Sequence, residues 1–325
     1  MTNVTSTAMH HEIDATAELV AAELREVAGW AVANGMNIPD FDGRLIRPIV
    51  ALEGWRSISA AGPPREFWYG AMAIQLAHEA SLLHDDVIDE SRERRGAPTL
   101  ASTKGTAAAL LAGDHVLTTA YRYAARTRNL EFVELFAESV ERTVAGEFAQ
   151  ARATGRILDF DEYASIVRGK SGALLGCALS LGASLAVPDR ARRFHDIGCR
   201  IGLVYQMLDD LLDLSPLTQT GKPALSDYAQ KHWTWPLEQM EVDDFETETE
   251  SLLYAMHDES SGSITAARRC LARYDDELDS VASNVRDELA DAPALEALLD
   301  QWRERARTAV DLEERATRGE AVSFS

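Results

Sequence analysis

The residues able to do chemistry in this 325-residue chain are concentrated in two segments of one form. LLHDDVIDESRERRGAPT carries Asp85, Asp86 and Asp89, and YQMLDDLLDL carries Asp209, Asp210 and Asp213. On a helix, the first and fifth residues of DDxxD share one face about one turn apart, and the second is rotated by roughly 100 degrees from the first. Three acceptor-only carboxylates thus converge on a patch that repels itself unless cations neutralise it. Hard divalent ions suit this role: Mg²⁺ takes oxygen ligands and completes its shell with water and phosphate oxygens, so the two patches describe a metal-diphosphate site. Both segments are embedded in apolar sequence, where a carboxylate without a partner costs free energy. A third DDxxD, formed by Asp275, Asp276 and Asp279 in ARYDDELDSV, stands among scattered charges with no basic tract or turn beside it. It reads as a solvated face.

The elements that position these groups read as helices. Apolar residues recur at three- and four-residue spacing from about Glu12 to Val310, prolines number 10, and no alternating strand pattern of any length occurs. Punctuation is short: Ala61-Gly62-Pro63-Pro64, Arg95-Gly96-Ala97-Pro98, Val187-Pro188, and the longer stretch from Ser215 to Asp227. None has the character of an interdomain linker. SGALLGCALSLGASLAV is apolar most of the way round and implies burial on every side, whereas the helices after Pro236 are acidic on one face and suit an outer layer. No fixed-period repeat is present. The expectation is an all-α chain with one domain over 12–316 and frayed ends at 1–11 and 317–325.

Composition narrows the class further. The chain is 46% hydrophobic and 26% charged, and no apolar run approaches the roughly 20 residues that cross a bilayer. The first residues lack the basic start and apolar stretch of a secretory signal, so the expected location is the cytoplasm, with reduced thiols. Cys177, Cys199 and Cys270 follow no CxxC spacing and read as small core residues. A net charge of -21 argues against a nucleic-acid partner and repels anionic lipid. A polyanionic substrate therefore requires metal ions, or the scarce basic residues gathered in one place.

With the clusters, their flanks and their spacing in view, the sequence resembles the trans-isoprenyl diphosphate synthases, the family of farnesyl, geranylgeranyl and longer polyprenyl diphosphate synthases. The match runs from about Phe41 to Pro236 with the motifs in order, and more loosely through the helical remainder. The resemblance implies a bundle of long antiparallel helices around a deep cavity, usually as a homodimer, in which isopentenyl diphosphate is joined head to tail to an allylic diphosphate. It implies that Asp85, Asp86, Asp89, Asp209 and Asp210 hold Mg²⁺, about three ions per site, on the allylic diphosphate, with Asp213 in support. Arg94 and Lys170 would grip that diphosphate, and Lys222 in TGKPALSD would add a contact. Gln206 and Gln150 match polar residues lining the cavity, and Arg47, His78 and Arg95 match the residues that bind isopentenyl diphosphate.

Elementary chemistry agrees. Ionising an allylic diphosphate leaves a carbocation and pyrophosphate, so fixed cations and metal must stabilise the leaving charge while apolar helices keep water away. Pyrophosphate can accept the final proton, and the chain shows no Ser-His-Asp or Cys-His nucleophile arrangement. Blander roles compete at single positions: Arg94 and Arg95 could be helix-end cations, and His78, on nearly the same face as Asp85, could be a satisfied core histidine. His84 and His115 read as structural, Trp233 and Trp235 as packing residues.

Two departures from the family pattern stand out. Where Gly-Gly-Lys-x-x-Arg is usual, the chain has Asp42-Gly43-Arg44-Leu45-Ile46-Arg47, so Arg44 offers a planar fork in place of a point charge. Where Gly-Lys-x-Thr-x-Pro is usual, it has Lys231-His232-Trp233-Thr234-Trp235-Pro236, with His232 at the lysine position and Lys231 beside it. These changes keep open a member diverted to cyclising a prenyl diphosphate or coupling it to another acceptor. A subunit that only stabilises an active partner is a further alternative, and the two intact clusters argue against it. Deeper along the helix from Asp85 lie Ser81 and Ala80, then Ala77, then Ala73 and Ile74. At about 1.5 Å per residue, Ile74 would floor a shaft about 16 Å deep, which matches a product of about twenty carbons.

Overall fold

The computed structural model describes residues 46–94, 96–156, 158–213, 263–289 and 292–317. Helices dominate: α1 (Ile46–Arg56), α2 (Arg65–Ile88), α3 (Leu100–Lys104), α4 (Thr106–Arg126), α5 (Leu130–Ala153), α6 (Phe160–Val167), α7 (Ala173–Ala186), α8 (Ala191–Asp213), α9 (Ser263–Glu288) and α10 (Pro293–Thr317). Between α2 and α3, β1 (Glu93–Arg94) pairs antiparallel with β2 (Ala97–Pro98). A π-helical turn, Arg168–Gly172, joins α6 to α7, and a 3₁₀ turn, Pro188–Arg190, precedes α8. The all-helical expectation holds. The hairpin and the π turn are additions that apolar periodicity does not signal, because each is too short to change the pattern.

The chain forms two compact units, Met1–Val140 with Leu174–Gly198, and Glu141–Ala173 with Cys199–Ser325, whose boundaries fall inside helices. In the first unit, Pro64 in extended conformation sets the start of α2, since a proline suits a helix entrance and resists continuation upstream. Every residue from Ala71 to Ala77 on α2 is buried, which small side chains permit. Phe132 and Phe136 of α5 stack with centroids 6.0 Å apart and are fully buried, each contributing about 1.5–3 kcal/mol by leaving water. Asn129 opens α5 by accepting from the Phe132 N–H at 2.8 Å, and ties it to α7 by donating to the Ser184 carbonyl at 2.9 Å. Where α1 meets α7, a Cβ on Gly54 would lie 2.3 Å from the Leu179 carbonyl oxygen, and one on Gly182 would lie 2.8 Å from Trp55 Cα.

In the second unit, Asp159 caps α6 by accepting from the Glu162 N–H at 2.9 Å. Tyr205 of α8 meets Trp302 of α10 with centroids 5.2 Å apart, and Arg200 of α8 donates to the Ser280 hydroxyl of α9 at 2.6 Å. All three cysteines are buried, as expected of small core residues. No described helix is long and apolar enough to cross a membrane.

The α1–α7 contact gives a direct test. Gly54→Ala and Gly182→Ala each force backbone apart, and each is expected to lower stability by about 1–3 kcal/mol in urea unfolding; an unchanged midpoint would show that these helices meet more loosely.

Candidate functional site

The first aspartate cluster closes the end of α2. Asp86 is buried and Asp85 and Asp89 are half-buried. The hairpin that follows folds back so that Arg94 Nε donates to Asp86 Oδ1 at 2.6 Å, with the Asp86 side chain 4% exposed and Arg94 27%. Thr99 secures this turn. Fully buried, it donates its hydroxyl to the Ser91 carbonyl at 2.7 Å and its backbone N–H to the Arg92 carbonyl at 2.9 Å, while its hydroxyl oxygen caps α3 by accepting from Ser102. Asp86 and Arg94, which the family resemblance gives to Mg²⁺ and to the diphosphate, are here paired with each other, and the pairing answers the free-energy problem of a buried carboxylate.

Farther back on α2, His78 is half-buried, and its carbonyl accepts from the Ser81 hydroxyl at 2.8 Å. Ala73, Ile74, Ala77 and Ala80 are buried. His84 sits 3.3 Å from Asp114 and closes on Gly113 of α4, where a Cβ would lie 2.3 Å from its Nε2, so it serves the α2–α4 contact. Burial and the nearby Arg122 charge hold His115 below its ordinary value, which keeps it neutral at neutral pH.

The second cluster ends α8. Asp210 is buried and Asp209 half-buried. Asp210 Oδ2 accepts from the Tyr163 hydroxyl at 2.6 Å, and Oδ1 accepts from Gln206 Nε2 at 2.8 Å. Gln206 Oε1 accepts in turn from Ser171 Oγ at 2.9 Å. Lys170, beside Ser171 in the π turn, places its ammonium 3.0 Å from Glu147 Oε2 of α5. The turn approaches α5 so closely that a Cβ on Gly146 would lie 2.4 Å from the Lys170 nitrogen. Gln150, one turn beyond Gly146, is half-buried.

Tyr163, Ser171, Glu147 and Thr99 are polar groups at these clusters that sequence reasoning did not single out. A helical spacing hint existed for two of them: Tyr163 precedes Lys170 by two turns, and Glu147 precedes Gln150 by three residues in GEFAQ. Of the expected site residues, Arg44, Arg95, Lys222, Lys231 and His232 lie outside the described residues, as do Trp233, Trp235, the side chain of Asp213, and the ends 1–11 and 318–325. Arg47 is half-buried on α1.

The third DDxxD has another fate. Asp275 takes Arg307 at 3.1 Å and Arg303 at 3.5 Å, and Asp279 also pairs with Arg303. Its charge is neutralised by α10 rather than by solvent alone, a tighter arrangement than a solvated face. Burial and the Asp275 carboxylate push the neighbouring Tyr274 phenol well above its ordinary value, so it stays uncharged.

Among the described residues, no three histidine, cysteine or carboxylate side chains are gathered into a ready-made metal cage. Asp85 and Asp89 in the first unit, and Asp209 in the second, are half-buried carboxylates with hard oxygen atoms.

Comparison with known proteins gives one consistent likeness. The polyprenyl synthetase family profile matches residues 31–272. A nonaprenyl diphosphate synthase of Mycobacterium tuberculosis is 30% identical over 224 residues, covering 68% of this chain and 66% of that protein. A (2E,6E)-farnesyl diphosphate synthase of Mycobacterium bovis is 32% identical over 216 residues, covering 64% of this chain and 60% of that one. The chain thus spans just under two thirds of the length of these curated relatives. A decaprenyl diphosphate synthase from Rhodobacter capsulatus shares the fold with a TM-score of 0.76 at 24% identity, over 93% of this chain and 99% of that one.

The Arg94–Asp86 pair can be tested on stability alone. Arg94→Met strands a buried carboxylate and is expected to cost about 1–3 kcal/mol, and adding Asp86→Asn should recover part of that loss in urea unfolding. Additive losses would show that the two side chains act independently.

Proposed function

This chain belongs to the polyprenyl synthetase family, and on that premise we propose that it condenses isopentenyl diphosphate with an allylic diphosphate to give an all-trans prenyl diphosphate. The observation that carries the reading is the pair of aspartate clusters in which one carboxylate is buried and held by protein donors while its neighbours stay half-exposed.

In this division of labour, Asp85, Asp89 and Asp209 are the metal ligands, and Asp86 and Asp210 are anchors that fix the clusters, with Asp213 in support. Mg²⁺, when bound, supplies positive charge for the departing pyrophosphate. Arg94 and Lys170 bind the allylic diphosphate, with Lys170 leaving Glu147 to do so, and Lys222, Lys231 and His232 add contacts to it. The allylic C1–O bond breaks with its electron pair staying on pyrophosphate. The double bond of isopentenyl diphosphate, oriented by Arg44, Arg47, His78 and Arg95, then supplies the electrons of the new carbon–carbon bond. Pyrophosphate takes the proton that is lost, so no side-chain base is needed. Apolar helices around the prenyl chain exclude water from the cation, and Gln150 and Gln206 line the polar mouth.

The small buried side chains on α2 support a product of about twenty carbons. Behind Asp85 come the small Ser81, Ala80 and Ala77, and Ile74, buried beside Ala73, is the first bulky candidate for a floor, about 16 Å from Asp85 at 1.5 Å per residue. The farnesyl and nonaprenyl relatives differ from each other in product and do not choose a length. A homodimer is part of the proposal, supported by Leu110 and Leu111 left exposed on α4.

Three measurements test this reading. With Mg²⁺ and labelled isopentenyl diphosphate, the wild type should elongate geranyl or farnesyl diphosphate, and a chelator should stop it; a cyclised product or no turnover would reject the reaction. Asp209→Ala should lower turnover by at least about a hundredfold, since one removed group stabilising leaving charge costs about that much, whereas Asp275→Ala should leave the rate near normal. Ser81→Phe should shorten the product toward ten or fifteen carbons on chromatography, and an unchanged chain length would assign the small residues to helix contact.

A further inference from the structure

One chain of hydrogen bonds in the second unit reaches beyond the residues given roles above, to Tyr163 and Ser171. Tyr163 is 3% exposed on α6 and donates to the Asp210 carboxylate, itself 2% exposed, at 2.6 Å. The other Asp210 oxygen accepts from Gln206, and Gln206 accepts from Ser171, next to Lys170 in the π turn. Three segments of the chain, α6, the π turn and α8, are therefore tied together at one carboxylate. A phenol donating to a carboxylate is charge-assisted and among the stronger protein hydrogen bonds. In so buried a place the carboxylate cannot turn to water when that donor is removed. The aromatic ring has a separate role, meeting Phe160 with centroids 6.1 Å apart, which a phenylalanine would keep. π-helical turns are rare and gather at functional sites because they offset the side chains that follow; here the offset turn carries both the lysine and the serine that reaches the aspartate network.

We propose that Tyr163 is a positioning residue for the second aspartate cluster: its hydroxyl holds the buried Asp210 carboxylate and, through Gln206 and Ser171, keeps that cluster in register with the turn that presents Lys170. What the cluster binds, a divalent cation with a diphosphate, rests on the function proposed above; the register itself rests on the four hydrogen-bonded side chains. The hydroxyl acts through Asp210 and touches no reacting atom.

The test uses the full chain with Tyr163→Phe, which removes one oxygen and keeps the ring. Mn²⁺ binding in the presence of inorganic pyrophosphate, followed by electron paramagnetic resonance, should weaken by about tenfold, the scale of losing an outer-shell group, because Tyr163 fixes the anchor Asp210 beside the proposed ligand Asp209. In steady-state assays KM for the allylic diphosphate should rise while KM for isopentenyl diphosphate stays put. Ser171→Ala should give a smaller loss in the same direction, and in the double variant the two losses should combine to less than their product, because both act on one network. Wild-type Mn²⁺ affinity in Tyr163→Phe, or a drop in thermal midpoint in chelator with metal affinity unchanged, would overturn the proposal and leave the hydroxyl a purely structural role. Should Tyr163→Phe fail to fold, Ser171→Ala decides by the same Mn²⁺ measurement. If the wild type binds Mn²⁺ with pyrophosphate yet makes no prenyl diphosphate, the proposed function fails and the Tyr163 comparison still stands or falls on metal affinity. A wild type that binds no Mn²⁺ overturns both.

Discussion

An ionised carboxylate buried at the end of an apolar helix must be met by fixed donors, and both aspartate-rich segments are shaped by that requirement. Leaving such a charge unpaired costs several kcal/mol, more than one ordinary hydrogen bond returns. Asp86 is met by the Arg94 guanidinium, and reaching it requires the chain to reverse through a two-residue hairpin pinned by Thr99. Asp210 is met by Tyr163 and Gln206, and reaching it requires α6 and α8 to come together beside the π turn. The same arrangements carry Arg94 and Lys170, the two described cations assigned to the diphosphate. On the function proposed, fixing the buried member of each cluster would orient its half-exposed members as donors for a cation and its anionic partner.

The DDxxD spacing alone does not decide function, as the third copy shows. Asp275 and Asp279 have the spacing of the other two clusters, yet Arg303 and Arg307 of α10 already neutralise them. Apolar surroundings separated the first two clusters from the third in the sequence, and the structure supplies the reason: charges in a polar, arginine-facing helix pair find partners across the helices, whereas those ending α2 and α8 are held by polar groups placed for them.

Much of this was legible in the sequence because it is local. Apolar spacing announced the helices, Pro64 and the Gly96 turn marked their breaks, and the basic residues beside the first cluster stood out, although Asp86 and Arg94 read as holding separate ligands and not each other. What escaped is nonlocal or too short to leave a period. Tyr163 and Asp210 are 47 residues apart, and no pattern in either helix names the other. The π turn adds a local offset to an otherwise continuous helical stretch, and the hairpin is two residues a side, so both are invisible to a window of helical length. The arginine partners of the third cluster lie a helix away, which is why it read as solvated.

The central claim, that the buried aspartates anchor while the half-exposed ones hold metal, is met most directly by anomalous diffraction from crystals grown with Mn²⁺ and a non-ionisable allylic diphosphate analogue. The expected map has Mn²⁺ peaks against Asp85, Asp89 and Asp209, with Asp86 still on Arg94 and Asp210 still on Tyr163 and Gln206. Peaks coordinated by Asp86 or Asp210, with those hydrogen bonds broken, would contradict it.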